Sequence, residues 1–427
     1  MIEIKAKLVR ADAAIYATGE RVECLIEFVH KVGENVENVN NDENLAWASA
    51  QLHCYRKTSF SVSSQGKSLD LSEMIGKTAL DAVTQAPGDI IITTKPKILF
   101  CDLKLKVNES KIYFFNEFVP RNGPPTYKGH DIKYFYRLTI ATQRVKSKVQ
   151  TLAVPIRVLP IPPIARPDEL PITVETNDEL APTNPFLEKR EVSELETSWH
   201  HLKNVIARRA PKFYRISNKR GFVGRFCLFK PAYKLGEDIV GSLDFANCSV
   251  RCVQFSVKLQ IQEICLPCNN TKNPNSDRND SFYLNSLDAA SVASEVATNN
   301  LHKFSTSGSN NNNKEELCGE QTGEVTTHVT SHQVCYAMLQ TQVVVPIPLH
   351  VTPSFRTDLV DVRWRLHFEF VTSTMMNFGK ENPVEGELQS PSKIPVETMM
   401  WNLPISIYSA NPLQIYSPSQ AHSLLIK

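Results

Sequence analysis

Long stretches of the chain alternate apolar and polar residues, which is the period of a β-strand with one buried face. In residues 253–261 every odd position is apolar and every even position is polar. Residues 132–140 and 362–370 largely repeat this two-residue period. Because a strand with one apolar face must pack against a second sheet, the pattern predicts an all-β protein made of sandwich domains.

Three sequence blocks occur twice in the chain, in the same order. The copies pair residues 15–28 with 232–245, 119–140 with 347–368, and 154–158 with 403–407. The first pair reads IYATGERVECLIEF and AYKLGEDIVGSLDF, so both copies place the motif Y-x-x-G-E before an alternating run. Three matches in one order are hard to produce by chance. A repeat this long predicts two related domains and not a solenoid of short units.

Composition places the boundaries of these domains. The predicted division is an N-terminal sandwich over 1–160, a linker over 161–215, a C-terminal sandwich over 216–410 and a tail over 411–427. The linker begins Pro-rich and acidic, and residues 191–209 have the spacing and charge order of a short helix. Residues 269–330 are rich in Asn, Ser and Thr, which predicts a disordered insertion in the second domain.

Charge and hydropathy exclude several classes of function. The chain carries 47 basic and 45 acidic side chains, and its net charge of +2 provides no long-range attraction for nucleic acid. It has no run of about 18 apolar residues, the length that spans a bilayer. It also lacks a signal-peptide pattern. We therefore expect a cytoplasmic protein whose ten cysteines are reduced.

Two groups of cysteine and histidine residues have spacings that could suggest a metal site. The groups are Cys248, Cys252, Cys265 and Cys268, and Cys318, His328, His332 and Cys335. In the first group a predicted strand separates the pairs, and twelve extended residues span about 40 Å, too far for one ion. For the second group the alternative is a scatter of polar residues where a loop meets a strand. A redox pair of Cys265 and Cys268 would lack the usual βαβ context.

No catalytic motif is complete. Gly76-Lys77-Thr78 resembles the end of a phosphate-binding loop, but Leu71 stands where that motif needs a glycine. We expect no enzyme activity and no cofactor, with metal or redox chemistry at the cysteine groups as the alternative.

One short peptide motif is a candidate binding site. Asn184, Pro185 and Phe186 form an NPF triplet in the acidic linker. Such a triplet in a flexible segment resembles the peptide that EH domains bind in membrane traffic. The alternative is a chance occurrence in a Pro-rich segment.

Longer stretches resemble a known family. LAWASAQLHC (45–54), PKILFCDLKL (96–105) and SVKLQIQEI (256–264), together with the twin Y-x-x-G-E blocks, resemble the retrograde Golgi transport protein family, the Rab guanine-nucleotide exchange complex partner proteins 2. Two such blocks in tandem also resemble arrestin. The resemblance implies two tandem arrestin-like, immunoglobulin-type β-sandwich domains.

The resemblance also implies a function. Family members act with a larger, propeller-containing subunit as an exchange factor for a Golgi Rab GTPase of the Rab-six type, which they meet in its GDP-bound or nucleotide-free form. We accordingly expect a non-catalytic scaffold that reaches the cytosolic face of Golgi membranes through its partners and serves retrograde endosome-to-Golgi and intra-Golgi transport. The alternative is an arrestin-like cargo or receptor adaptor that uses the NPF triplet.

Overall fold

The computed structural model describes most of the two predicted domains. The described residues are 1–10, 13–31, 42–59, 88–161, 193–266, 323–336, 338–374, 394–415 and 421–426. They are mainly β-strands, which confirms the all-β prediction. They form two compact units, the first from residues 1–161 and 409–426 and the second from residues 193–266 and 323–408. The likeness to arrestin stays a prediction.

Unit 1 consists of two sheets that share one core. The smaller sheet has the order β21-β1-β3-β7, with β1 at Ile2–Leu8, β3 at Arg21–His30, β7 at Ser110–Phe118 and β21 at His422–Ile426. The larger sheet has the order β2-β10-β9-β4-β5, with β2 at Ile15–Ala17, β4 at Glu43–Thr58, β5 at Asp89–Thr93, β9 at Ile132–Gln143 and β10 at Gln150–Leu159. Strand β6 (Lys97–Leu105) pairs with β4, and β8 (Tyr127–Lys128) pairs with β9. Phe28 and Leu138, from opposite sheets, are both fully buried in one apolar cluster, which is the arrangement of a sandwich.

Unit 2 repeats this plan. Its smaller sheet has the order β11-β12-β14-β17, with β11 at Lys212–Asn218, β12 at Gly221–Leu228, β14 at Asp238–Asp244 and β17 at Gln340–Pro346. Its larger sheet has the order β13-β20-β19-β15-β16, with β13 at Ala232–Lys234, β15 at Arg251–Cys265, β16 at Glu324–Val334, β19 at Val360–Ser373 and β20 at Glu397–Tyr408. Strand β18 (Phe355–Arg356) pairs with β19. The ring centroids of Phe226 on β12 and Phe368 on β19 lie 5.0 Å apart, so the two sheets face each other.

The internal repeat extends to single hydrogen bonds. The Tyr136 hydroxyl donates to the Pro124 carbonyl at 2.9 Å, and the Trp364 indole N–H donates to the Thr352 carbonyl at 3.1 Å. In each case the acceptor lies twelve residues before the aromatic residue. Both aromatic side chains are 1% exposed, which confirms the core positions that the alternation predicts. The polar group of the buried aromatic side chain, a hydroxyl in one domain and an indole N–H in the other, therefore donates to the equivalent backbone carbonyl in both domains.

The end of the chain returns to unit 1. Strand β21 pairs antiparallel with β1, with Ile2 opposite Ile426 and Ala6 opposite His422. In strand order it takes the position beside β1 that β11 takes beside β12 in unit 2. Residues 411–427, expected to be a tail, thus include a structural strand. The short alternating segment His422–Ile426 orders because β1 provides a long pairing edge.

Two other expected boundaries differ from the structure. Strand β16 begins at Glu324, inside the segment 269–330 that was expected to be disordered. Its polar but β-branched residues suit an edge strand that has few buried positions. Strand β11 begins at Lys212, four residues before the expected start of the second domain, because Lys212 pairs with Leu228 across a hairpin.

The predicted short helix is present. Helix α1 spans Glu194–Ala207, and its N-terminus is capped by the Ser193 hydroxyl, which accepts from the Glu196 N–H. No helix among the described residues is long and apolar enough to cross a membrane.

Candidate interaction surfaces

The duplicated Y-x-x-G-E motif builds the same turn in both units. Gly19 and Gly236 have φ values of +81° and +77°, a conformation that glycine adopts without strain. The Gly19 N–H donates to the Val119 carbonyl at 2.9 Å, and the Gly236 N–H donates to the Ile347 carbonyl at 3.0 Å. The motif therefore ties the start of each domain to the strand region that follows β7 or β17.

The glutamate of each motif holds a basic residue in place. Glu20 pairs with Arg10, and Glu237 pairs with Lys230. The Arg10 guanidinium lies 4.7 Å from the Tyr16 ring centroid, and the Lys230 ammonium lies 5.0 Å from the Tyr233 centroid. Burial raises the pKa of Tyr16 to about 12 and raises that of Tyr233 as well. These contacts are internal to each sandwich, so we assign the motif to folding and not to binding.

The structure separates the cysteines of the first proposed metal group. Cys252 is buried at the start of β15, whereas Cys265 is at the opposite end of that strand, and Cys268 lies outside the described residues. Among the residues that the structure describes, no three His, Cys, Asp or Glu side chains are grouped so that they could hold a metal ion.

Cys252 instead contacts Cys335, a pairing that sequence spacing did not reveal. The Cys335 thiol donates to the Cys252 carbonyl at 3.6 Å, and both side chains are buried. The pKa of the Cys252 thiol is raised, first by its hydrogen bond to Cys335 and then by burial. The two residues lie 83 positions apart and meet only because β16 pairs with β15.

The second proposed metal group is also dispersed. His328 and His332 lie on β16, Cys335 follows it, and Cys318 is outside the described residues. The ring centroid of His328 lies 5.2 Å from that of Trp364. The His328 side chain stays exposed, but partial desolvation against the protein, and then the neighbouring His350, lower its pKa. The imidazole therefore packs against the edge of the core. The NPF residues Asn184, Pro185 and Phe186 lie outside the described residues as well.

A connected polar network covers the outer face of β15, β19 and β20. Glu369 accepts hydrogen bonds from Lys258 at 2.5 Å and Ser256 at 3.1 Å, and its carboxylate lies 3.1 Å from His367 Nε2. His367 Nδ1 lies 2.7 Å from the Asn402 amide oxygen. The hydrogen bond from Lys258, more than any other contact, lowers the pKa of Glu369. The network fixes its side chains on three adjacent strands of one sheet.

Arg365 lies beside this network and is held by a neutral partner. Its Nε donates to the Gln260 amide oxygen at 3.0 Å, and the Gln260 amide nitrogen donates to Thr327 Oγ1 at 3.1 Å. Burial lowers the pKa of the Arg365 guanidinium. Nearby Arg363, in contrast, is paired with the Asp361 carboxylate at 2.6 Å.

A second exposed surface lies on the smaller sheet of unit 1 and is apolar. Leu25 on β3 is opposite Phe114 on β7. Ile112 and Phe118, on either side of Phe114 along the chain, lie on the same face of β7. The three β7 side chains are each more than half exposed. The Arg21 guanidinium lies 4.8 Å from the Phe118 ring centroid. Several exposed apolar side chains on one sheet face are typical of protein-protein contact regions.

Comparison with known proteins assigns the family. The Rgp1 family model matches residues 34–161 and 173–373, which is most of the chain. The chain belongs to the Rgp1 family. Its sequence is similar to RAB6A-GEF complex partner protein 2 of Homo sapiens, with 33% identity over 425 residues that cover 96% of each chain. The Bos taurus protein of the same name is 33% identical over 418 residues, covering 95% of this chain and 93% of the relative.

The family match spans both sandwich units and confirms the resemblance found in the sequence. The polar positions of the alternating runs had already indicated which side chains of β15 and β19 face outward. They did not indicate which of these side chains are paired, because the partners lie on different strands.

Proposed function

We propose that this Rgp1-family chain is the non-catalytic scaffold subunit of a two-subunit guanine-nucleotide exchange factor for a Golgi Rab GTPase of the Rab-six type. The observation that carries the proposal is the similarity to RAB6A-GEF complex partner protein 2 along nearly the whole of both chains. Similarity limited to one domain would support only a shared fold.

The two sandwich units provide what such a subunit needs. An exchange factor accelerates nucleotide release when it binds the nucleotide-free GTPase more tightly than the loaded one, and it gains nothing from equal binding. Exposed sheet faces can supply this differential binding without a reacting side chain. The polar face around Glu369 and the apolar face around Phe114 are two such surfaces.

The proposal includes the partners and the location. The second subunit is the larger, propeller-containing protein, and the substrate of the complex is the Rab in its GDP-bound or nucleotide-free form. Both partners bring the chain to the cytosolic face of Golgi membranes, where the complex serves retrograde transport.

The test is GDP release from the Rab, measured by loss of a fluorescent GDP analogue with this chain alone, the large subunit alone, and both together. We expect strong acceleration only with both subunits. Full activity of the large subunit alone would contradict the scaffold role. No acceleration in any mixture of folded proteins would contradict the exchange function and favour the cargo-adaptor alternative.

A further inference from the structure

Arg365 is a cation of the polar face that has no acidic partner among the described residues. Within the described part of the chain, no carboxylate lies within 4.0 Å of its guanidinium, whereas Lys258 is paired with Glu369 and Arg363 with Asp361. Its one hydrogen bond to a described residue goes from Nε to the Gln260 amide oxygen, so neither terminal nitrogen donates to any residue that the structure describes. An unneutralised, partly buried guanidinium attracts a carboxylate strongly because little water screens it.

The surroundings hold this guanidinium in one orientation. Gln260 is buried and is itself fixed by Thr327 on β16, so the chain Thr327–Gln260–Arg365 crosses three adjacent strands. Side chains that are ordered before binding lose less entropy when the complex forms. Two parallel terminal N–H groups match the two oxygens of a carboxylate.

The neighbouring charges favour the same ligand. Near Arg365, the Glu369 carboxylate is paired with Lys258 and the Asp361 carboxylate is paired with Arg363. Each pair is neutral, so these two pairs and Arg365 together carry one net positive charge. An acidic residue complements that charge, and a basic residue would be repelled. Central, preorganised arginines are over-represented among the residues that dominate binding energy in protein interfaces.

We propose that Arg365 anchors an aspartate or glutamate side chain of a protein partner, which docks on the outer face of β15, β19 and β20. The inference rests on the proposed function, since it takes that partner to be a component of the exchange complex. The polar network around Glu369 then forms the rim of the contact, and Arg365 forms its centre.

The test measures the affinity of the large subunit, and separately of the GDP-bound and nucleotide-free Rab, for the full chain by calorimetry. We expect Arg365→Gln to weaken binding in at least one arm by roughly 10- to 100-fold. Arg365→Lys keeps the positive charge but loses the two parallel N–H groups that match a carboxylate. We therefore expect an affinity between those of the wild type and Arg365→Gln. Gln260→Leu keeps Arg365 but removes the amide oxygen that orients its guanidinium. We expect this substitution to weaken binding by roughly 2- to 10-fold.

Arg225→Gln is the matched control, because Arg225 is an exposed arginine on the other sheet of the same unit and is paired with Asp244. We expect it to bind like the wild type, and melting temperatures verify that all variants are folded. Equal losses for Arg225→Gln and Arg365→Gln would indicate general charge attraction and overturn the proposal.

Two further outcomes separate this inference from the proposed function. If the wild type binds a partner and Arg365→Gln binds equally well, the anchor is wrong while the exchange function stands. If the wild type binds neither the large subunit nor the Rab, the proposed function fails and the anchor fails with it.

Discussion

The role of the last strand can be tested with two substitutions at neighbouring positions. Ile426 is 2% exposed and belongs to the core cluster of unit 1, whereas Leu425 on the same strand is 43% exposed and faces outward. Replacing a buried isoleucine by alanine costs about 2–5 kcal/mol. Because Ile426 is the last residue of an outer strand, neighbouring side chains can partly fill the space, so we expect about 2–3 kcal/mol for Ile426→Ala.

Leu425→Ala serves as the control and should change the free energy of unfolding by less than about 0.5 kcal/mol, because exposed positions tolerate truncation. For a unit of this size, 2–3 kcal/mol corresponds to roughly 4–12 °C in melting temperature. Calorimetry measures the shift, and hydrogen exchange should show faster exchange in β1 for Ile426→Ala only, since β21 pairs with that strand. Equal effects of the two substitutions, or unchanged exchange in β1, would refute the assignment of β21 to the unit 1 core.

Three further predictions concern unit 2. Trp364→Ala removes a buried side chain and its hydrogen bond to Thr352, and we expect a loss of about 3–5 kcal/mol in urea unfolding. An unchanged unfolding midpoint would contradict the strand register. Gly236→Ala combines a φ of +77° with a new Cβ that would lie 2.6 Å from a Leu349 methyl carbon, so a loss of at least about 1 kcal/mol is expected. Because the pKa of His328 is lowered by folding, its contribution to stability is present above its unfolded pKa near 6.5 and is lost as the pH falls below that value. His328→Gln should reduce the pH dependence of the unfolding midpoint between about pH 5 and 7, and an unaltered dependence would count against this assignment.

The strands and their duplication could be predicted from the amino-acid order. Alternation with a period of two is a local property, because successive side chains of a strand point to opposite faces. The outward positions of β15 and β19, including Lys258, Arg365 and Glu369, could therefore be identified without any structure. The internal repeat supports these assignments, because Tyr136 and Trp364 occupy equivalent positions in the two units.

The pairing between distant segments was decided by the tertiary structure alone. The position of β21 beside β1, the contact of Cys252 with Cys335 and the held orientation of Arg365 each depend on which strands become neighbours. A strand's own residues specify which face is buried, but its neighbours and register are set by the packing of the whole sheet. For this reason the fold class could be predicted from the sequence, whereas the candidate anchor required the assembled sheet.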